Sequence, residues 1–125
     1  IDIDNLKYIN DKFGHNEGDY AINTVAKALE FISENGEICA RFGGDEFIVA
    51  GSYDSDEYRS NYEKRFNDYL EYFNENTTKP YEVRASFGMV VDEFNGVNNI
   101  DDLIKIADER MYARKSGKGN HYRTR

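Results

Sequence analysis

The sequence predicts a single α+β domain in which helices pack against a mostly antiparallel sheet. The chain has 125 residues, of which 39% are hydrophobic and 14% aromatic, enough to form one buried core. Short apolar runs and longer amphipathic segments follow one another in the order β-α-α-β-β-α-β-α-β. The two runs at the centre are separated by a short glycine-containing turn, which is typical of antiparallel strands.

The first elements are one short strand and two helices. Residues 1–3 have the pattern of the end of a buried strand, so we expect a truncated first strand in a fragment of a longer chain. A short helix is predicted over 5–12 and a longer one from 18–19 to 35–36, with Asp19 as its candidate N-cap. The apolar residues of the longer helix recur at spacings of three and four: Ile22, Val25, Ala26, Leu29 and Ile32.

A hairpin and a third helix are predicted next. The strands of the hairpin are the apolar runs 38–42 and 47–50, and its tip is Gly43-Gly44-Asp45-Glu46. A helix over 55–76 follows, because aromatic and aliphatic residues recur at helical spacing between charged positions. The predicted core face of this helix comprises Tyr58, Tyr62, Phe66, Tyr69, Leu70 and Phe73.

The last elements are a strand, a helix and a short final strand. Residues 81–91 change from alternating to continuously apolar, which predicts a strand that becomes more buried. A loop through 95–96 leads to a helix from Ile100 that is capped by Asp101 or Asp102 and ended by Gly117. The inward-facing residues of this helix are Leu103, Ile106, Ala107 and Met111. A short final strand is predicted at 121–123.

The charge and the cysteine content exclude several classes of protein. Sixteen basic and 24 acidic residues give a formal charge of −8, which disfavours tight binding to nucleic acid or to an anionic membrane. The single cysteine, Cys39, cannot form an intrachain disulfide, and no zinc-ligand spacing is present. No apolar run is long enough to span a bilayer. We therefore expect a cytoplasmic domain without direct membrane contact, whether or not its parent chain is anchored.

Paired acids at two strand ends form the first candidate site. Asp2 and Asp4 alternate with Ile1 and Ile3 at one strand end, and Asp45 and Glu46 precede the apolar run 47–50. Carboxylates together with a backbone carbonyl, such as that of Ile3, suit a hard cation like Mg²⁺, which completes its shell with phosphate and water. The alternative is that these acids only cap turns and helices.

Glycine and basic residues supply the second candidate feature. Gly43 and Gly44 would let the backbone approach a ligand closely beside Arg41. Seven basic residues near the C-terminus face only Asp108 and Glu109, a local balance of +5: Lys105, Arg110, Arg114, Lys115, Lys118, Arg123 and Arg125. This stretch would neutralise nucleotide phosphates, or would simply compensate the helix C-terminus.

Two polar residues near glycine-containing turns form a third candidate feature. Asn10 and Asp19 together offer acceptors and donors able to read a purine edge. Asp19 taken alone is better explained as a helix N-cap.

The segment Arg41-Phe42-Gly43-Gly44-Asp45-Glu46-Phe47 resembles the signature of the GGDEF family, the diguanylate cyclases. Further segments resemble other motifs of that family in the same order, so that the likeness covers 1–125: Asp2-Ile3-Asp4-Asn5-Leu6-Lys7-Tyr8-Ile9-Asn10-Asp11, Phe13-Gly14-His15, Gly18-Asp19, Ser86-Phe87-Gly88, Ala107-Asp108 and Met111-Tyr112. The resemblance implies a ferredoxin-like palm fold related to nucleotidyl cyclases.

The resemblance also implies an activity, a cofactor and partners. Family members condense two GTP molecules into the bacterial second messenger cyclic di-GMP and release pyrophosphate. Each domain holds one GTP, so catalysis needs a homodimer, normally controlled by an upstream sensory or dimerisation domain. By position, Asp2, the carbonyl of Ile3 and Asp45 would bind Mg²⁺, or Mn²⁺ in its place, while Asn10 and Asp19 would recognise guanine.

The remaining site residues are implied in the same way. Asp2, Asp45 and Glu46 would form the catalytic group, with Glu46 supporting the site beside the metal. The backbone around Asn5, Leu6 and Lys7 would cradle substrate phosphates, with Lys115 and Lys118 at the triphosphate. Arg41 would hold the signature loop or help between partner subunits, and Gly43 and Gly44 would lie close to the substrate. The family usually has alanine at Arg110 and one more residue before the Gly-Lys pair, which leaves the choice among Arg114, Lys115 and Lys118 as phosphate ligands open.

One family motif is absent. Many members carry Arg-x-x-Asp five residues before the signature, where this chain has Glu34-Asn35-Gly36-Glu37. Feedback inhibition by product is therefore predicted to be absent.

Two other readings compete with an active cyclase: a catalytically idle domain that binds GTP and regulates a partner, and a ferredoxin-like interaction domain that binds no nucleotide. The intact signature, Asp2, Asn10 and Asp19 favour activity.

Overall fold

The computed structural model describes residues 1–34, 36–52, 56–91 and 99–118 and confirms the α+β class. The described elements, in chain order, are β1 (Asp2–Ile3), α1 (Leu6–Phe13), α2 (His15–Ile32), β2 (Ile38–Arg41), β3 (Phe47–Ala50), α3 (Asp56–Asn76), β4 (Ala85–Ser86) and α4 (Ile100–Lys118). Within these residues, no helix combines the length and the apolar character that crossing a membrane requires.

The short strand β1 lies between strand β4 and the hairpin formed by β2 and β3. It pairs with β4, with Asp2 opposite Ser86, while β2 and β3 form the predicted hairpin. An antiparallel bridge between Asp2 and Glu46 brings the hairpin to the other side of β1. The Phe47 amide donates to the Ile1 carbonyl at 2.8 Å across this junction. The tip of the hairpin is thereby held at the edge of β1.

Helices α2 and α3 supply most of the core, as their apolar periodicity predicts. In α2 the predicted stripe is buried, with Ala26 half-buried, and in α3 Tyr62, Phe66 and Leu70 are buried. The Phe66 ring packs edge-on against Phe87, with the ring centroids 5.0 Å apart. Burial of several aromatic rings stabilises the domain, since each removes 150–250 Å² from water.

Two helix caps differ from the prediction. Helix α2 begins at His15, directly after Gly14 with its φ of 99°, so Asp19 lies inside the helix and is not the N-cap. In α4, the cap is Asn99: its Oδ1 accepts from the Asp102 amide at 2.9 Å, and the Asn99 amide donates to Asp102 Oδ2 at 3.3 Å. This reciprocal pair is a capping box, in which Asp102 is the third helical residue.

Other element ends also differ from the prediction. Gly117 does not end α4, which continues to Lys118. The strand predicted over 81–91 is reduced to β4. Before β4, Asn74 of α3 takes both backbone hydrogen bonds of Val83 that a neighbouring strand would otherwise make. Its side-chain amide donates to the Val83 carbonyl at 3.0 Å, and its oxygen accepts from the Val83 amide at 2.9 Å. The predicted loop at 95–96 and strand at 121–123 lie outside the described residues.

Candidate functional site

The two groups of acids predicted from the sequence meet at the edge of β1. The Ile3 amide donates to the Asp45 carbonyl at 2.9 Å, which holds the hairpin tip beside Asp2. On the other side, the Ser86 hydroxyl donates to Asp4 Oδ1 at 2.7 Å. The first strand therefore carries carboxylates that are positioned by both of its neighbours.

The carboxylate of Asp2 lies in an environment that disfavours its charge. Burial raises the pKa of Asp2, and the neighbouring carboxyl of Asp45 raises it further, against the opposing effect of Lys115. Its Oδ2 accepts a hydrogen bond from Lys115, whereas its buried Oδ1 has no hydrogen-bond partner among the described residues. A buried oxygen without a partner is costly, and a bound cation would satisfy it.

Lys115 is the cation that the structure brings to these acids. Its Nζ lies 3.0 Å from Asp2 Oδ2 and 3.6 Å from Asp4 Oδ1. Burial alone would lower the pKa of Lys115, but the hydrogen bond and charge of Asp2, with Asp4 and Asp45, raise it overall. The ammonium group therefore remains protonated and partly offsets the negative charge of the site.

Arg114, the neighbour of Lys115, has a different environment. Its guanidinium donates to both carboxylate oxygens of Glu63 in α3, at 2.5 and 3.1 Å, and to the Phe87 carbonyl at 3.0 Å. These contacts join α4 to α3 and to the chain after β4. Lys118 is the last residue of α4, and its side chain lies outside the described part of the structure.

Glu46 is half-buried at the base of the hairpin tip and faces α4. Burial raises its pKa, and the carboxyl of Asp108 on α4 raises it further. From the sequence, Asp108 counts among the acids that offset a basic segment and lies within the family-like segment Ala107-Asp108, but it is not among the candidate site residues. The spacing of seven residues between Asp108 and Lys115 could have indicated that Asp108 lies near the site, because two helical turns place both side chains on one face of α4.

The hairpin tip is shaped by Arg41. Its Nε donates to the Gly43 carbonyl at 3.1 Å and its Nη2 to the Gly44 carbonyl at 2.8 Å. A Cβ atom added at Gly44 would meet nothing within 4 Å, so the packing of the protein itself does not require glycine there. The exposed tip therefore leaves space in which a ligand can approach the backbone.

The start of α1 directly follows the acidic strand. Asn5 precedes the helix in the left-handed conformation, with φ of 59°, and is followed by the buried Leu6 and the exposed Lys7. The first backbone amides of a helix lack intrahelical partners and suit anionic groups.

Across the turn between α1 and α2, Asn10 contacts Gly18, the residue that precedes Asp19. A Cβ atom added at Gly18 would lie 1.7 Å from Asn10 Oδ1, so the amide side chain of Asn10 rests directly against the backbone of Gly18. The exposed Asp19 is the next residue of α2. The missing side chain at Gly18 is thus what allows the Asn10 side chain to pack against this turn of α2.

The fit to a metal depends on two acids and one carbonyl. Among the described residues, no three His, Cys, Asp or Glu side chains are grouped as a metal site on their own. The predicted set of Asp2, Asp45 and the Ile3 carbonyl contains only two carboxylates. This set fits Mg²⁺, which is commonly held by one or two carboxylates with substrate phosphate and water, and the unpartnered Asp2 Oδ1 agrees with it.

Comparison with known proteins gives one consistent result. The family model described as "Diguanylate cyclase, GGDEF domain" matches residues 1–121. Diguanylate cyclase DgcP of Escherichia coli is 34% identical over 119 residues, which cover 94% of this chain and 35% of the relative. Diguanylate cyclase DosC of the same organism is 31% identical over 115 residues, which cover 92% of this chain and 25% of the relative. The chain thus spans about a third or less of these relatives.

Solved structures show the same fold. An EAL/GGDEF domain protein from M. capsulatus is 28% identical with a TM-score of 0.77, over 93% of this chain and 75% of that one. The active GGEEF domain of a diguanylate cyclase from Vibrio cholerae is 26% identical with a TM-score of 0.73, over 93% and 73%. These likenesses confirm the predicted palm-like α+β fold.

Proposed function

Because this chain belongs to the GGDEF family, we propose that it is a diguanylate cyclase domain that converts two GTP molecules into cyclic di-GMP and pyrophosphate. The observation that carries the proposal is the convergence of Asp2, Asp45 and Lys115 at the edge of β1, beside the signature turn. A buried carboxylate oxygen next to a lysine, without a hydrogen-bond partner among the described residues, favours a cation-binding site over an interaction domain that binds no nucleotide.

Asp2, the Ile3 carbonyl and Asp45 would hold Mg²⁺, or Mn²⁺ in its place. When bound, such an ion lowers the pKa of an attacking 3′-hydroxyl and offsets charge on the α-phosphate. Lys115 supplies a further positive charge that is already oriented by Asp2 and Asp4. Because this ammonium group is fixed before substrate arrives, it stabilises developing phosphate charge without reorganisation.

The remaining residues position the substrate. The backbone at Asn5, Leu6 and Lys7 cradles phosphates at the start of α1, while Asn10 and Asp19 bind the guanine edge. The exposed Gly43 and Gly44 admit the triphosphate to the hairpin tip, whose shape Arg41 maintains, and Glu46 supports the acidic strand from the side of α4. Lys118 adds to the phosphate contacts. Catalysis of this kind depends mainly on position and electrostatic field.

The product requires two domains. Each domain binds one GTP, so the 3′-hydroxyl of one nucleotide attacks the α-phosphate of the other across a homodimer. The chain spans 35% and 25% of the length of two curated relatives, which agrees with an upstream sensory or dimerisation domain in the parent protein. The population of dimers then controls the rate by mass action.

The test is product formation by the chain fused to a dimeric coiled coil. The fusion is incubated with GTP and Mg²⁺, and nucleotides are separated by chromatography. Formation of cyclic di-GMP supports the proposal. Magnesium-dependent binding of GTP without any product would overturn it in favour of an idle, GTP-binding regulatory domain. Absence of both binding and product would overturn both of these functions.

A further inference from the structure

Glu17, in the first turn of α2, is connected to the chain just before β4 by a set of polar contacts outside the acidic site. Lys79 Nζ lies 2.7 Å from Glu17 Oε1 and 3.0 Å from Oε2. The Tyr81 hydroxyl lies 3.0 Å from Oε1 and 3.3 Å from the backbone carbonyl of Glu17. Both side-chain oxygens and the main chain of one residue are therefore held from a segment more than 60 positions away.

The residues that hold Glu17 are themselves fixed. Tyr81 is fully buried, and its ring packs against Phe13 at the end of α1, with 5.4 Å between ring centroids. Lys79 lies over the ring of Tyr20, with Nζ 4.4 Å from the centroid. The contacts thus bridge α1, α2 and the strand segment, and they define where the first turn of α2 lies relative to α1.

The position of this turn also sets how the Gly18 backbone lies against Asn10, one of the two residues assigned to the base. Glu17 immediately precedes Gly18, against which the Asn10 side chain packs so closely that a Cβ atom would overlap it. Asp19 follows Gly18. A movement of Glu17 would therefore shift the adjoining backbone of Gly18 and Asp19 relative to Asn10, and displacements of this kind are costly for oriented ligands.

We propose that Tyr81, acting through Glu17 and assisted by Lys79, is a positioning residue that sets the spacing between Asn10 and Asp19 and so determines selectivity for guanine. This inference rests on the proposed function for the assignment of Asn10 and Asp19 to the base. It assigns a role to residues that do not touch substrate and that belong to no motif recognised in the sequence.

A purely structural role makes a different prediction. Loss of the Tyr81 hydroxyl would then reduce thermal stability and leave the preference among bases unchanged. A positioning role predicts that Tyr81→Phe raises KM for GTP, on the order of tenfold, with kcat little changed. It also predicts a smaller ratio of kcat/KM for GTP over ITP, which lacks the 2-amino group of guanine.

The experiment compares Tyr81→Phe with Tyr72→Phe in the coiled-coil fusion. Tyr72 is an exposed tyrosine on α3, so the control makes the same chemical change away from the turn. Competition binding of GTP and ITP is measured together with turnover, and NMR spectra report the amide signals of Gly18 and Asp19. Lys79→Met serves as a second variant that keeps the aliphatic stem over Tyr20, should Tyr81→Phe fail to fold.

The outcomes separate this inference from the proposed function. Reduced GTP-over-ITP preference in Tyr81→Phe or Lys79→Met, with shifted Gly18 and Asp19 signals, supports the positioning role. If wild type forms no product but the variants still lose this preference in binding, the cyclase proposal fails and the positioning role stands. Unchanged preference in folded variants overturns the positioning role, as does a wild-type protein that binds GTP and ITP equally.

Discussion

The Nζ atom of Lys115, in the last helix, lies 3.0 Å from Oδ2 of Asp2, in the first strand. This contact joins residues 113 positions apart and places one ammonium group at the centre of the acidic site. It is the feature that distinguishes Lys115 from Arg114, whose guanidinium is bound to Glu63 and the Phe87 carbonyl. Loss of the Lys115 side chain therefore removes a positive charge from the acidic site, whereas loss of the Arg114 side chain removes contacts of α4 with Glu63 and Phe87.

Replacing Lys115 by methionine removes the charge and keeps most of the aliphatic stem. We expect Lys115→Met to lower kcat/KM for GTP on the order of 100-fold, because one preoriented charge is lost from the site. Initial rates of cyclic di-GMP formation measure this effect. Lys105→Met, an exposed lysine on the same helix, is the matched control. Equal activity of the two variants would refute the role assigned to Lys115.

Gly88 is predicted to be intolerant of any side chain. A Cβ atom there would lie 1.8 Å from the Ala107 carbonyl oxygen and 2.7 Å from the Met111 nitrogen, which are backbone atoms of α4. Gly88→Ala should therefore lower the free energy of unfolding by about 1–3 kcal/mol, as overpacking does. Urea denaturation measures this free energy. Gly44→Ala is the control, because a Cβ atom at Gly44 meets no atom within 4 Å. Equal stability of the two variants would contradict the packing of α4.

Glu17 makes the domain sensitive to acid. Hydrogen bonds from Lys79 and then Tyr81 lower the pKa of Glu17 below its ordinary value of 4.5. A carboxylate with a lowered folded-state pKa stabilises the fold above its unfolded pKa, and this contribution is lost as pH falls through the folded pKa. Glu17→Gln removes the effect. The stability difference between wild type and Glu17→Gln should shrink on acidification below 4.5, and a difference independent of pH would exclude this linkage.

Product should not inhibit the enzyme through a surface site at 34–37. In place of an arginine, Glu34 pairs with Arg65, 3.2 Å away, and Glu37 accepts a hydrogen bond from the Tyr58 hydroxyl. Acidic side chains at these positions repel the phosphates of cyclic di-GMP. We expect initial rates to be unchanged by added product, measured by pyrophosphate release. Tight binding of cyclic di-GMP to the isolated domain would contradict the prediction.

The sequence predicts best what depends on local periodicity. The buried faces of α2 and α3 follow from apolar spacing alone, since a helix places residues three and four apart on one side. The Asn99 cap was also readable, because Asn99 stands three residues before Asp102 in the pattern of a capping box. The glycine-rich hairpin tip likewise follows from local turn chemistry.

Long-range contacts explain what the sequence left open. At Val83, within the strand predicted over 81–91, the backbone groups are bonded to the side chain of Asn74 in α3 and not to a neighbouring strand. Lys115 lies at the acidic site because its Nζ contacts Asp2 of β1, whereas the neighbouring Arg114 pairs with Glu63 of α3. The contacts of Tyr81 with Glu17 likewise join distant segments. None of these relations has a signal within one helical turn.

The most direct test of the account compares wild type with Asp45→Ala in the coiled-coil fusion, supplied with GTP and Mg²⁺. Asp45 is exposed at the hairpin tip, so its loss should leave the melting temperature unchanged. Asp68→Ala, also exposed but on α3, is the control. The account predicts cyclic di-GMP from wild type and the control and none from Asp45→Ala. Product from Asp45→Ala at the wild-type rate would contradict the assignment of the β1 edge as the catalytic site.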